Sequence, residues 1–207
     1  MNLYPTDNAF DVSALRLDMQ ATEIPTPVLP WGAISRERQM RGTFHFYTHD
    51  HRFSGLLKDP RQMLETGCTH AVEANISVFE QTPRWEVLYA IGRKRAAAAQ
   101  LQGLGVRVFV DLNVPMRFLD IALLGVPRGW RAFATRGYAE RPDDLRAEHD
   151  LACEWARGVP LMLVVGGGLG IEALCRSLAG AAWVPDYRSQ LRALALAYRT
   201  PGKAVQA

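Results

Sequence analysis

The stretch GTFHFYTHDHRF, residues 42–53, gathers groups able to do acid–base or metal chemistry: His45, Tyr47, His49, Asp50 and His51. His49 and His51 are two residues apart, so an extended chain presents both to one divalent ion. Such an ion needs further ligands, and Glu73 and Asp111 are the candidates from later strands. In a second reading His45 or His49 works as acid or base, with Asp50, Glu73 and Asp111 as base or ligands. The plain structural reading is a polar loop in which Asp50 caps the next turn and the histidines are solvated. His45 stands apart because it sits between Phe44 and Phe46. There it must find a partner or a ligand, and Glu73, Asn75 and Asp50 are the nearest expectations. Alternation puts His45 and Tyr47 on one side and Phe44 and Phe46 on the other. His51 is expected to be exposed and dispensable.

A glycine-rich turn, VVGGGLGIEAL, offers different chemistry. Gly166, Gly167 and Gly168 lie between an apolar run and a helical pattern, where backbone N–H groups can approach a phosphate. The spacing matches neither G-x-G-x-x-G nor a P-loop. A tight turn needing positive φ is the structural alternative. Arginines supply a third possibility. Arg93 and Arg95 flank Lys94 in a helix, Arg136 follows a strand, and Trp31 precedes Arg36. Together they suggest phosphate or nucleic-acid contacts with Trp31 as a stacking group. Against this stand a solvated helix face and a tryptophan that merely anchors an arm.

These residues need a frame, and the chain supplies one. Short apolar runs at TFHFY, HAVEANI, VRVFVDLNV, WRAFAT, PLMLVV and AAWVP alternate with helical patterns. The clearest helix is PRWEVLYAIGRKRAAAAQLQGLG, whose spacing groups Trp85, Leu88, Tyr89 and Gly92. Alternation of this kind predicts an α/β fold, with a mostly parallel sheet of five to six strands and helical crossovers. At 207 residues the chain is short for a closed eight-stranded barrel, so a partial barrel or an open sheet is expected. EIPTPVLP marks residues 1–30 as an extended, proline-containing arm, and residues 31–207 as one α/β domain. In such sheets functional groups collect beyond the carboxyl ends of the strands. That rule selects His45, Glu73, Asp111, Arg136 and the glycine turn.

A net charge of +3 excludes a strongly basic protein but allows a local basic patch. Three scattered cysteines suggest reduced thiols and a cytoplasmic setting. No apolar run reaches the length a membrane helix needs, and no signal peptide is evident.

Four segments, PWGAISRERQMRGTFHFYTHDHRFSGLL, YAIGRKRAAAAQLQGLGVRVFVDLNV, GVPRGWRAFATRGY and LMLVVGGG, together resemble the DUF4417 family across residues 31–168. The family's pattern maps onto His45, Asp50, Phe53, Arg93 and Arg95. His49 stands where that pattern has an acid, which weakens a shared metal motif. The resemblance implies no reaction, and it implies a phage or plasmid-type mobile element as the setting. The expectations are therefore a protein binding nucleic acid or a nucleotide phosphate, a barrel-like hydrolase acting on a phosphate-bearing substrate with or without a metal, or a module binding another protein.

Overall fold

Each apolar run followed by a helix has to return to the same edge of the growing sheet. In the computed structural model, which describes residues 5–32 and 42–192, this gives seven parallel strands. They are β1 (Val28–Pro30), β2 (Thr43–His45), β3 (His70–Val72), β4 (Arg107–Asp111), β5 (Ala132–Arg136), β6 (Leu161–Val165) and β7 (Ala181–Val184). Spatial order equals chain order from β1 to β7, and every neighbouring pair is parallel. With right-handed crossovers, an unbroken order puts all helices on one face and curls the sheet into a half-barrel. The expected parallel α/β architecture is present, with one strand more than the five to six foreseen. The additional strand is β1, drawn from the proline-containing segment. Pro30 lacks an N–H, and β1 is an edge strand, where that loss is tolerated.

The helices are α1 (Ser54–Lys58), α2 (Arg84–Gly103), α3 (Leu119–Ala122), α4 (Pro142–Ala156) and α5 (Gly168–Ser177). The pattern YRSQLRALALAYR predicts a closing helix; a helical stretch begins at residue 187, and its remainder past residue 192 lies outside the described residues. No helix among the described residues is long and apolar enough to cross a membrane.

The face that α2 buries differs from the one its aromatic spacing suggested. Trp85 and Tyr89 are 71% and 62% exposed. The buried side runs through Val87, Ile91, Lys94, Ala98 and Leu101. Small alanines let the helix lie close on the sheet, and Lys94 and Arg95 meet carboxylates beneath it. The core itself is built from strand residues such as Phe44, Val108, Phe109, Phe133, Met162 and Leu163.

The arm crosses the amino end of this sheet. Gln20 bridges to Val108, and Arg107 donates to the carbonyls of Asp18 and Gln20. Gln102 is doubly bonded to the Arg16 backbone. Covering of this end leaves the carboxyl end as the open one.

Candidate functional site

The carboxyl ends of β3 and β4 carry carboxylates, and α2 crosses behind them with two cations. Glu73 pairs with Arg95, and both are fully buried. Arg95 also donates to the carbonyls of Leu124 and Ala122. The second Glu73 oxygen accepts from the Asp111 N–H at 3.1 Å. Asp111 accepts from Lys94 at 3.1 Å, from the Tyr47 hydroxyl at 3.1 Å and from the Asn113 N–H. This is a closed lattice in which both carboxylates and both cations are satisfied. Such an arrangement fixes the positions of β3, β4 and α2. Glu73, Asp111 and Arg95 therefore sit together, but as a structural unit rather than facing solvent.

Next to it the sheet opens into a cleft of about 1290 Å³. Its lining includes His45, Asp50, Arg136, Gly166 and Gly167 from the sequence reading, joined by Tyr138, Arg141, Glu148 and Arg188. Alternation holds in this strand: the His45 and Tyr47 rings stack with centroids 5.3 Å apart, while Phe44 and Phe46 pack on Trp31. Trp31 is thereby a buried anchor and presents no free stacking face. Asp50 does not partner His45. Its carboxylate accepts from the N–H and hydroxyl of Ser77, closing a loop. Neither Glu73 nor Asn75 partners His45, since Asn75 accepts from Asn113. What His45 does have is the Tyr47 N–H, which donates to its Nδ1 at 3.2 Å.

His49 and His51 stack on each other in the exposed loop, with centroids 5.7 Å apart. Among the described residues no three of His, Cys, Asp and Glu gather where a metal ion would need them. The two histidines thus lack the further ligands that a divalent ion requires. Arg93 is exposed on α2 over the Tyr89 ring, away from the cleft. Arg36 lies outside the described residues.

Register explains how Arg136 and the glycine turn come together. Arg136 is paired with Val165, and the Gly137 N–H donates to the Val165 carbonyl at 2.9 Å. The arginine and the turn therefore leave the sheet side by side. Gly166, Gly167 and Gly168 all have positive φ, from 76° to 82°. A Cβ on Gly167 would lie 2.6 Å from Ile171 Cγ1 and 2.8 Å from the Gly137 carbonyl carbon. Glycine is required there for both reasons. No side chain caps α5, and the first N–H groups of a helix have no partner within the helix itself. Arg136 forms no ion pair among the described residues, lying instead over the Tyr138 ring at 5.2 Å. Arg141 covers the same ring at 4.0 Å and pairs with Asp144.

Burial sets the protonation of the inner cleft. Desolvation, helped by the charge of Arg136, lowers His45 to about 3, so the ring is neutral. Burial likewise raises Glu148 well above the usual carboxylate range. The charges of Asp111 and Asp144 add to that shift. Tyr47 is raised by burial and by Asp111. The floor thus offers uncharged polar groups, and the rim offers cations.

Glu148 was not visible to the strand-end rule because it comes from a helix. Its signal is a carboxylate inside the buried stripe Leu145, Glu148, Ala152 and Ala156 of α4. Arg188 follows β7, and extending the rule to the last strand finds it.

No curated protein sequence and no solved structure is significantly similar to the chain. One family model does match, over residues 4–144. The match begins within the arm, takes in His45 and Arg136, and stops before Glu148 and the glycine turn. Covering more than half of the chain, it makes this protein a member of the DUF4417 family, a domain of unknown function.

Proposed function

We propose that the carboxyl-end cleft binds a phosphate-bearing ligand of mononucleotide size. The observation that carries this reading is the juxtaposition of Arg136, without an acidic partner among the described residues, and the uncapped start of α5. A guanidinium beside open backbone N–H groups matches the oxygens of a phosphate in charge and in direction. Arg188 adds a second cation to the same rim. A concave site of about 1290 Å³ suits a small ligand. A polymer calls for a row of cations along a groove, whereas Arg95 is in the core and Arg93 on another face. The carboxylates expected to serve a hydrolase, Glu73 and Asp111, are engaged in ion pairs.

Calorimetry on the full chain tests this, with uridine 5′-monophosphate, inorganic phosphate and a short single-stranded oligonucleotide as titrants. The mononucleotide is expected to bind, and Arg136→Ala to weaken it about tenfold or more, the equivalent of one charge-assisted hydrogen bond. Binding of the oligonucleotide without the mononucleotide would overturn the small-ligand reading. Affinity unchanged in Arg136→Ala would remove its central residue.

A further inference from the structure

His45 is 2% exposed, and it is one of the residues that line the cleft. Its Nδ1 accepts from the Tyr47 N–H, so Nδ1 holds a lone pair. A neutral imidazole then carries its one proton on Nε2. That Nε2–H has no partner among the described residues. Leaving a buried donor unmade is costly, and folded proteins rarely leave one so. The acceptors that the sequence offered for it are occupied. Glu73 serves Arg95 and the Asp111 N–H, Asp50 serves Ser77, and Asn75 serves Asn113.

We propose that the His45 Nε2–H is a ligand-binding donor, and that the cleft floor receives the ring carbonyl of a nucleobase. This rests on the phosphate reading for the rim and adds the orientation: base inward, phosphate outward. The acceptor is uncharged for electrostatic reasons. An anion at the floor would face the carboxylate of Asp111 through Tyr47 and lie beside Glu148, whose ionisation burial and the neighbouring carboxylates already oppose. A cation there would meet Arg136, whose charge already acts on His45. A planar head is favoured because aromatic rings border the cleft. Tyr47 stacks beside His45, Tyr138 lies between two arginines, and Phe79 on the cleft wall is 66% exposed. A base can stack on such rings whatever its identity, since every base has a π-face.

The test compares uridine 5′-monophosphate, ribose 5-phosphate and uridine by calorimetry, on wild type, His45→Asn and His45→Gln. Asparagine can keep an acceptor for the Tyr47 N–H but does not reach the Nε2 position. Glutamine places an N–H there again. Wild type is expected to prefer the nucleotide over the sugar phosphate by about tenfold or more. His45→Asn loses that preference with sugar-phosphate affinity unchanged, and His45→Gln regains part of it. Equal affinities in wild type overturn the floor proposal and leave the phosphate reading standing. So does a preference that persists in His45→Asn. If neither phosphate compound binds, the phosphate reading fails and uridine decides. Uridine binding lost in His45→Asn supports the floor donor, and no uridine binding overturns it. Should His45→Asn not fold, magnetic resonance of isotope-labelled histidine in wild type replaces it. The His45 Nε2–H signal must move with the nucleotide and not with the sugar phosphate, and a stationary signal overturns the proposal.

Discussion

Two polar clusters share one end of the sheet and treat their charges in opposite ways. Behind β3 and β4, Glu73, Arg95, Asp111 and Lys94 are buried and mutually satisfied. In the cleft, Arg136 at the end of β5 has no ion-pair partner among the described residues, and His45 at the end of β2 keeps an unmade donor. The residue types are similar, so composition does not separate the clusters. Satisfaction does. A closed network has its partners within the chain and holds elements together. An open one keeps valences for something outside. The functional candidates are therefore found by asking which polar groups the fold has left over.

The largest effect should come from breaking the closed cluster. Arg95→Ala leaves Glu73 buried without its cation and frees two carbonyls. Removing one member of a buried pair typically costs about 3–5 kcal/mol. Urea denaturation should show a loss in that range, while Arg136→Ala, at an exposed position, stays within about 0.5 kcal/mol of wild type. Comparable losses in the two variants would erase the distinction between the clusters.

Acidification should separate them next. His45 titrates near 6.5 in an unfolded chain and at about 3 when folded. Between those values the unfolded state binds more protons, so stability falls as the pH drops. The slope from this group approaches about 1.4 kcal/mol per pH unit. Glu148 runs the other way. Its folded pKa is raised, so its contribution weakens as pH climbs above the ordinary carboxylate range towards the folded value. From about pH 6.5 to 4.5, wild type should lose roughly 2–3 kcal/mol more than His45→Asn in denaturant titrations. Parallel curves for the two proteins would mean that His45 is not held neutral by burial.

Periodicity made the sheet legible, while pairing stayed hidden. Runs such as LMLVV and VRVFV announce buried parallel strands, and the helices between them dictate their direction. β1 was harder to see because prolines around it read as an arm, and only its edge position makes them acceptable. The face of α2 was misjudged for a physical reason. Trp85 and Tyr89 carry the greater hydrophobicity, but Ala98 and its neighbours carry the close contact. Among candidate residues, the strand-end rule placed His45 and Arg136 on the cleft. It could not tell that Glu73 and Asp111 would be consumed by Lys94 and Arg95, since pairing is a three-dimensional property. Glu148 escaped because a helix delivers it.

The glycine turn permits a finer comparison within the open cluster. Gly167 and Gly168 have nearly the same φ, 82° and 76°. A Cβ at Gly167 collides with Ile171 and Gly137, whereas one at Gly168 meets nothing within 4 Å. Gly168→Ala should therefore cost only the left-handed backbone term, about 1–2 kcal/mol. Gly167→Ala should cost at least about 1 kcal/mol more, because Ile171 and the β5 connection have to shift. Thermal melts of the two variants decide it, and equal shifts would show that the turn does not pack against Gly137 as described.

The smallest effect distinguishes two exposed arginines. Arg93 and Arg136 each lie over a tyrosine, at 5.7 Å and 5.2 Å from the ring centres. An exposed contact of this kind contributes about 0.5–1 kcal/mol at most. Neither loss should unsettle the fold, so stability alone cannot tell them apart. Surroundings can. Arg93 looks out from the middle of α2, with no uncapped helix start beside it. Arg136 emerges next to the glycine turn and acts electrostatically on His45. Arg93→Ala should therefore leave mononucleotide affinity within about twofold of wild type, a difference of less than ~0.5 kcal/mol. A loss in Arg93→Ala matching that in Arg136→Ala would place the anion on the outer face of α2. It would also end the case for the cleft as the open cluster of this fold.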